Sequence, residues 1–160
     1  MLKIVVASDT HGRNDILNIL ERKYRDAQLF VHCGDLEDDP RRYPAWIVVK
    51  GNNDYWGQFR DDVCISAGSH RIYVVHSHRV SYSNRSKNLA RIAKEKHCDM
   101  VFFGHTHRVM AEWLDGVFML NPGSVWLPRG GYSGSYAIVT IDGDKIDAKI
   151  LFQEDWDFDY

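Results

Sequence analysis

The sequence predicts an α/β fold: a single domain in which two mixed β-sheets stack as a sandwich flanked by helices. Three observations carry that reading. Short apolar runs alternate with amphipathic helical segments over the first hundred residues, the pattern of strands joined by crossover helices. The later part of the chain turns to strand pairs around Asp115-Gly116 and Asp142-Gly143-Asp144, both hairpin signals. Several early runs also stop in loops rich in Asp, Asn and His, and open α/β sheets bind ligands beyond the carboxyl ends of their strands. Crossover connections early and hairpins late argue for two mixed sheets over one purely parallel sheet.

Leu2 to Ala7 is an apolar run with Ile and Val at its centre, matching a strand buried on both faces, and Ser8-Asp9-Thr10-His11-Gly12 interrupts it. From Asn14 to Arg25, Ile16, Leu17, Ile19, Leu20 and Tyr24 recur at helical spacing, with Asn14 as the N-cap. Leu29 to His32 is the second strand and ends at Cys33-Gly34-Asp35. The stretch Leu36 to Tyr43, acidic then basic and broken by Pro40, reads as a loop or a short turn of helix. Trp46 to Val49 is the third strand, ahead of Gly51-Asn52-Asn53-Asp54. Val63 to Val75 reads as two short strands around Ala67-Gly68-Ser69-His70, which puts His70 at a hairpin tip, and it ends at His76.

From Asn84 to Lys96 the basic residues Arg85, Lys87, Arg91, Lys94 and Lys96 interleave with Leu89, Ile92 and Ala93. This predicts an amphipathic helix with a solvated basic side; a nucleic-acid surface is the sharper but less supported alternative, given the near-neutral balance. His97 falls at its C-terminal end. Met100 to Phe103 is the next strand, followed by Gly104-His105-Thr106-His107. Residues two apart in extended backbone share a face, so His105 and His107 converge just past the strand end, and the glycine lets the backbone turn closely there. Alone, such a pair could be two exposed loop histidines. Glu112 to Leu114 pairs with Val117 to Leu120, Asn121-Pro122-Gly123-Ser124 makes a tight turn, and Ser135 to Ile141 pairs with Lys145 to Phe152. Pro128 to Gly134 is a glycine-rich loop. The domain is expected to span 1–153, with 154–160 an acidic and aromatic tail.

A chain of 160 residues can bury about 70% of its unfolded surface, enough for one real core. With 44% hydrophobic residues and a net charge of -2, nothing in the balance calls for nucleic acid or an anionic membrane. There is no leader-like start and no apolar stretch near the roughly 20 residues of a membrane span, so a cytoplasmic location without membrane contact is expected. Cys33, Cys64 and Cys98 are odd in number and widely spaced, which argues against a disulfide framework or thiolate zinc site and for reduced, buried thiols.

Asp9-x-His11, Gly34-Asp35, Gly51-Asn52-x-Asp54, His76 after an apolar strand and Gly104-His105-x-His107 occur in order over nearly the whole chain. Together they resemble the calcineurin-like metallophosphoesterases. Asn121-Pro122-Gly123-Ser124 with Pro128-Arg129 is similar to the small bacterial and archaeal phosphodiesterases within them. Each motif is weak alone, and the ordered set is specific. The resemblance implies that Asp9, His11 and His107 hold one divalent metal ion and Asn52, His76 and His105 a second, with Asp35 bridging. Mixed carboxylate, amide and imidazole ligands suit manganese, the leading expectation, and also iron, nickel or zinc. Two such ions about 3.5–4 Å apart can share a water, lower its pKa towards roughly 7 and present hydroxide to phosphorus. The implied function is therefore hydrolysis of a small phosphodiester by a metal-bridging hydroxide. Nucleic acid would enter only as a small nucleotide, and the hairpins and aromatics allow a homodimer.

His78 is expected to point at the substrate phosphate or to order a water. Asn53 stands where many of these proteins carry a histidine that protonates the leaving oxygen, and an amide donates no catalytic proton at neutral pH. Assistance would come from His78 or from a water held by Asp54. The favoured reading of Asp54 is a carboxylate that orients a ligand histidine. His32, Cys33 and Cys64 read as packing or supporting residues. Tyr55 and Trp56 either wall the substrate cleft or simply pack, and Arg13, Arg79 and Arg129 either contact phosphate or are solvated.

Two other functions are compatible with the fold but not with the motifs. A protein-docking scaffold of the same fold, like the retromer subunit with its degenerate metal pocket, would lack an essential histidine, whereas all seven ligand positions here carry coordinating side chains. A protein phosphatase would show Gly-Asp-x-x-Asp-Arg-Gly and Gly-Asn-His-Glu, and Leu36-Glu37-Asp38-Asp39 and Gly51-Asn52-Asn53-Asp54 break both patterns.

Overall fold

The runs at residues 4–7 and 100–103, at the centres of the two sheets, are apolar at every position, and the fold explains why: each has a covered surface on both sides. A computed structural model describes residues 1–55 and 57–158. Its elements are β1 (Leu2–Ala7), α1 (Asp15–Lys23), β2 (Leu29–His32), β3 (Trp46–Val48), β4 (Asp62–Ala67), β5 (His70–Val75), α2 (Arg85–Glu95), β6 (Met100–Phe103), β7 (Met110–Leu114), β8 (Val117–Asn121), β9 (Ser135–Asp142) and β10 (Lys145–Phe152). Short 3-10 turns lie at Pro40–Arg42 and Gln153–Asp155.

Two five-stranded sheets form, in the orders β10-β9-β1-β2-β3 and β4-β5-β6-β8-β7. In the first sheet β1, β2 and β3 run parallel and β9 pairs antiparallel with β1; in the second β5, β6 and β8 run parallel. The predicted mixed two-sheet sandwich is thus what the chain adopts.

Period-two alternation then sorts the side chains. Ile4 and Val6 of β1 face Ile72, Val74, Met100 and Phe102 across the gap between the sheets. Val5 and Ala7 face the other way and meet Ile16, Leu17 and Leu20 of α1. Val101 and Phe103 meet Leu89, Ala90 and Ala93 of α2. Each fully buried side chain of this size contributes about 1.5–3 kcal/mol relative to exposure, and three such layers fix how the sheets sit against each other.

Several local expectations are corrected. His70 does not occupy a hairpin tip: Ala67 pairs with His70, leaving a two-residue loop, and His70 is buried between Asp99 and the Gly143 carbonyl. Asn14 sits at the N-cap position, yet its side chain accepts from Thr10 Oγ1 and donates to the Leu36 carbonyl, tying two loops together instead of capping α1. β3 ends at Val48, and Val49 continues only as a bridge to Arg60. Asp115 and Gly116 both have positive φ, as the predicted type I′ hairpin requires. In the tail, Trp156 and Phe158 pack beside Tyr136, and the last two residues lie outside the described ones. All three cysteines are free; Cys33 and Cys98 are buried and Cys64 half-buried. Among the described residues no helix is long and apolar enough to cross a membrane.

Candidate metal centre

The parallel strands of both sheets deliver their carboxyl ends to one edge of the sandwich. Ala7 lies beside His32, so the loops after β1 and β2 leave together, with Asp9 N donating to the Gly34 carbonyl and His11 N to the Asp35 carbonyl, each at 3.0 Å. Val75 lies beside Phe103, so His76 and Gly104 leave the second sheet together. Asp9, His11, Asp35, His105 and His107 all adopt left-handed backbone, with φ between 50° and 73°. That region costs a non-glycine residue on the order of 1–3 kcal/mol, and such strain concentrates where function demands it.

Two glycines make the close approach possible. A Cβ on Gly104 would stand 2.2 Å from Ser8 Oγ and 2.7 Å from Asp9 Oδ2, and one on Gly51 would stand 2.2 Å from Asp35 Oδ1. Gly104 is therefore needed for the room it leaves, not for a turn, and its φ is not in the left-handed range.

Seven side chains converge in two groups. His107 Nε2 lies 3.1 Å from Asp9 Oδ1 and 3.3 Å from His11 Nε2, and His11 Nε2 lies 4.0 Å from both Asp9 Oδ1 and Asp35 Oδ2. One ligand atom each from Asp9, His11, Asp35 and His107 falls within 4.8 Å of every other. On the other side Asn52 Oδ1 lies 3.0 Å from His76 Nε2 and from His105 Nδ1, and His76 Nε2 is 3.5 Å from Asp35 Oδ2. Asp35 Oδ2 thus belongs to both groups.

Three of the four histidines are aimed by the proton on the opposite ring nitrogen. His76 Nδ1 donates to the Cys33 carbonyl at 2.7 Å, His107 Nδ1 to the Leu127 carbonyl at 2.6 Å, and His11 Nδ1 to Glu37 Oε2 at 2.8 Å. An acceptor at Nδ1 places the free lone pair on Nε2, turned inward. Asp54 was expected in such a role and does not have it. Its carboxylate accepts the backbone N–H groups of Asp35, Glu37 and Gly51, pinning the two ligand loops, and Glu37 is the carboxylate that holds a histidine. Asn53 donates from its backbone and its side chain to the two oxygens of Asp35.

The residues fit a divalent cation. Asp9 Oδ2 accepts from Ser8 Oγ and the His105 N–H, whereas Oδ1 is buried with no hydrogen bond aligned on it. A buried carboxylate oxygen left so is costly, and a cation is the partner this donor set suits. Burial raises the pKa of Asp9, but the neighbouring His107 and His76 outweigh it and hold the group below the usual range. Burial likewise opposes ionisation of Asp35, and His76 and Asn53 hold it well below that range. Burial and the adjacent His76 push His105 down to about 4, which keeps its ring neutral and able to ligate.

The remaining candidates separate clearly. His78 is half-buried, its ring centroid 5.4 Å from that of His76, with Nδ1 buried and unpartnered; burial and the charge of His76 lower its pKa. His32 is fully buried, accepts from the Gly34 N–H at Nδ1 and meets Thr10 Oγ1 at Nε2, and burial lowers its pKa to about 4. Arg79 pairs with Asp61, Arg13 stacks on Trp126, and Tyr55 is exposed; Trp56 lies outside the described residues. Sequence reasoning missed Glu37, which sits among three consecutive acids with nothing to single it out, and the Leu127 carbonyl, which no side-chain pattern marks.

A family model described as the calcineurin-like phosphoesterase superfamily domain matches residues 2–144. A Bacillus subtilis protein named probable metallophosphoesterase YsnB is 37% identical over 156 residues, covering 95% of this chain and 92% of its own. Phosphodiesterase YfcE of Escherichia coli K12 is 33% identical, covering 89% of each. Among solved structures, a Streptococcus pneumoniae protein described as a predicted phosphoesterase superposes with a TM-score of 0.89 at 28% identity, over 96% of this chain and 91% of the other. Vps29 of Entamoeba histolytica, solved with zinc, superposes with a TM-score of 0.72 at 19% identity, over 94% of this chain and 99% of the other, a likeness of fold alone.

Proposed function

The chain belongs to the calcineurin-like phosphoesterase superfamily, and from that premise we propose that it is a metal-dependent phosphodiesterase. In this reading Asp9, His11 and His107 hold one divalent cation, Asn52, His76 and His105 hold a second, and Asp35 serves both. The observation that carries the proposal is the convergence of seven coordinating side chains in two groups that share Asp35, the first of them containing a buried carboxylate oxygen, Asp9 Oδ1, on which no hydrogen bond is aligned. When bound, two divalent cations would supply Lewis acidity to activate a water as nucleophile and positive charge against the phosphoryl oxygens; manganese is the first choice.

The chain's own groups do the positioning. Asn53 fixes both oxygens of Asp35 and so is not available to the leaving group. His78, its pKa lowered by burial and by His76, stands beside the His76 ring and is the side chain we assign to contact the phosphoryl or departing oxygen. With no stronger proton donor at the position of Asn53, the enzyme favours diesters whose leaving groups depart without much help, such as aryl esters. The free cysteines suit a reducing compartment, and we place the protein in the cytoplasm. The docking-scaffold alternative rests on a likeness of fold, and it leaves seven complete ligand positions without a purpose.

The test is hydrolysis of bis(p-nitrophenyl) phosphate by metal-stripped protein, with manganese, iron, nickel and zinc restored one at a time. Rate should return with added metal, manganese giving the largest recovery. Asp35→Ala and His107→Ala should each abolish turnover with the circular dichroism spectrum unchanged. Turnover that survives either change would overturn the reading.

A further inference from the structure

Against the His105 side of the metal centre lies a cleft of about 280 Å³, lined by Tyr82, Arg85, His105, Thr106, Arg108 and Arg129. Three of those six lining residues are arginines. The residues come from separate segments: Tyr82 precedes α2, Arg85 is its first residue, Arg108 follows β6 and Arg129 lies between β8 and β9. Arg129 is tied to the centre through its backbone, which donates to the His107 carbonyl at 2.9 Å, and Arg108 N donates to Thr106 Oγ1. None of the three arginines forms an ion pair among the described residues. Arg85 donates from Nη2 to the Val80 carbonyl, while its Nε is buried with no hydrogen-bond partner.

Three unpaired cations gathered by folding around one cavity repel each other, and this chain carries a net charge of -2 with acids to spare elsewhere. Such an arrangement is stable in the company of an anion, and planar guanidinium forks match phosphate oxygens in pairs. The ester undergoing hydrolysis carries a single negative charge and is already served by the proposed cations. The arginines are therefore left facing a second charge, close enough for the two to belong to one molecule, since His105 both lines the cleft and meets Asn52 in the centre.

We propose that this cleft binds a second phosphate of the substrate, so that the preferred substrate is a phosphodiester bearing an additional phosphate group. The proposal rests on the phosphodiesterase reading for its chemistry, but the binding site stands by itself. A neighbouring cavity of about 340 Å³ shares Tyr82, Arg85, Thr106 and Arg108 and continues along Val109 and Met110, leaving room for an organic group beyond the phosphate.

Two measurements decide it. In the first, metal-free protein is titrated with inorganic pyrophosphate by calorimetry, and the difference between wild type and an arginine variant reports the cleft. Wild-type protein should bind one equivalent, and the double variant Arg108→Ala, Arg129→Ala should bind at least tenfold more weakly at an unchanged melting temperature. No uptake at millimolar pyrophosphate, or equal uptake by the variant, overturns the proposal. In the second, manganese-loaded protein is given the p-nitrophenyl ester of thymidine 5′-phosphate with and without a 3′-phosphate. The phosphorylated ester should be preferred about tenfold in kcat/KM, chiefly through KM, and the preference should vanish in the double variant. Equal use of both esters by the wild type overturns the proposal. If neither ester is hydrolysed, the phosphodiesterase reading has failed, and the pyrophosphate titration still decides whether the cleft binds phosphate.

Discussion

Two histidines of this chain donate from Nδ1 to a carboxylate, and they do opposite things. His70, at the start of β5, meets Asp99 at 2.6 Å, and its Nε2 is then consumed by the Gly143 carbonyl at 2.8 Å. His11 meets Glu37 at 2.8 Å, and its Nε2 looks into a pocket shared with His107, Asp9 and Asp35. The first ring has an acceptor on each side, which favours its doubly protonated form, and its pKa is raised by Asp99 and the Gly143 carbonyl against the effect of burial. The second has one acceptor and one open lone pair. The carboxylate does not make a metal-binding histidine; what the other nitrogen faces does.

The comparison breaks most sharply at Gly104, whose missing side chain gives the pocket its room. Gly104→Ala drives a methyl into Ser8 and Asp9, so a stability loss of about 3 kcal/mol is expected, together with loss of metal uptake; calorimetric melting and bound-metal analysis would read both. The His70 pair, remote from that clash, should keep its pH response. Glu37→Gln comes next. It leaves His11 with a weaker acceptor, so affinity for one cation should fall about 10–100-fold while stability changes by less than about 0.5 kcal/mol, measurable as two separated steps in a metal titration.

The smallest effect belongs to His70→Gln. Because the folded-state pKa of His70 is raised, its stabilisation is complete below the unfolded value of about 6.5 and is lost as pH rises through the higher folded value. With Asp99 half in solvent the contribution should be about 1 kcal/mol or less. Melting curves from mildly acidic to mildly alkaline pH should show wild-type protein losing that increment as pH rises and the variant flat, with metal uptake equal in both.

Most of the architecture was legible in the sequence for a simple reason. Buried central strands such as Leu2–Ala7 and Met100–Phe103 must be apolar on both faces, and α1 and α2 must show one apolar stripe, so each announces itself locally. The seven candidate ligands were legible as an ordered set of short motifs. Glu37 and Asp54 were not correctly divided between them, because two acids on neighbouring loops look alike until the backbone folds; the left-handed φ of Glu37 brings one to His11, and the turn after Gly51 brings the other onto three amides. His70 was misplaced because Ala67-Gly68-Ser69-His70 allows either a tip or a strand start, and only pairing with Ala67 decides. Arg85, Arg108 and Arg129 are spread over 45 positions and meet only in three dimensions.

The position of β1 has a consequence for how the molecule comes into being. It is made before every other strand described, yet it is flanked by β2 on one side and by β9, more than a hundred residues later, on the other. At ribosomal speed Asp9 waits on the order of ten seconds before Ser135 exists, and during that interval β1 has an open hydrogen-bonding edge. Chains that hold β1 but not yet β9 are therefore more adhesive than the folded protein, and yield in a cell should depend on how quickly the stretch through Asp142 is translated.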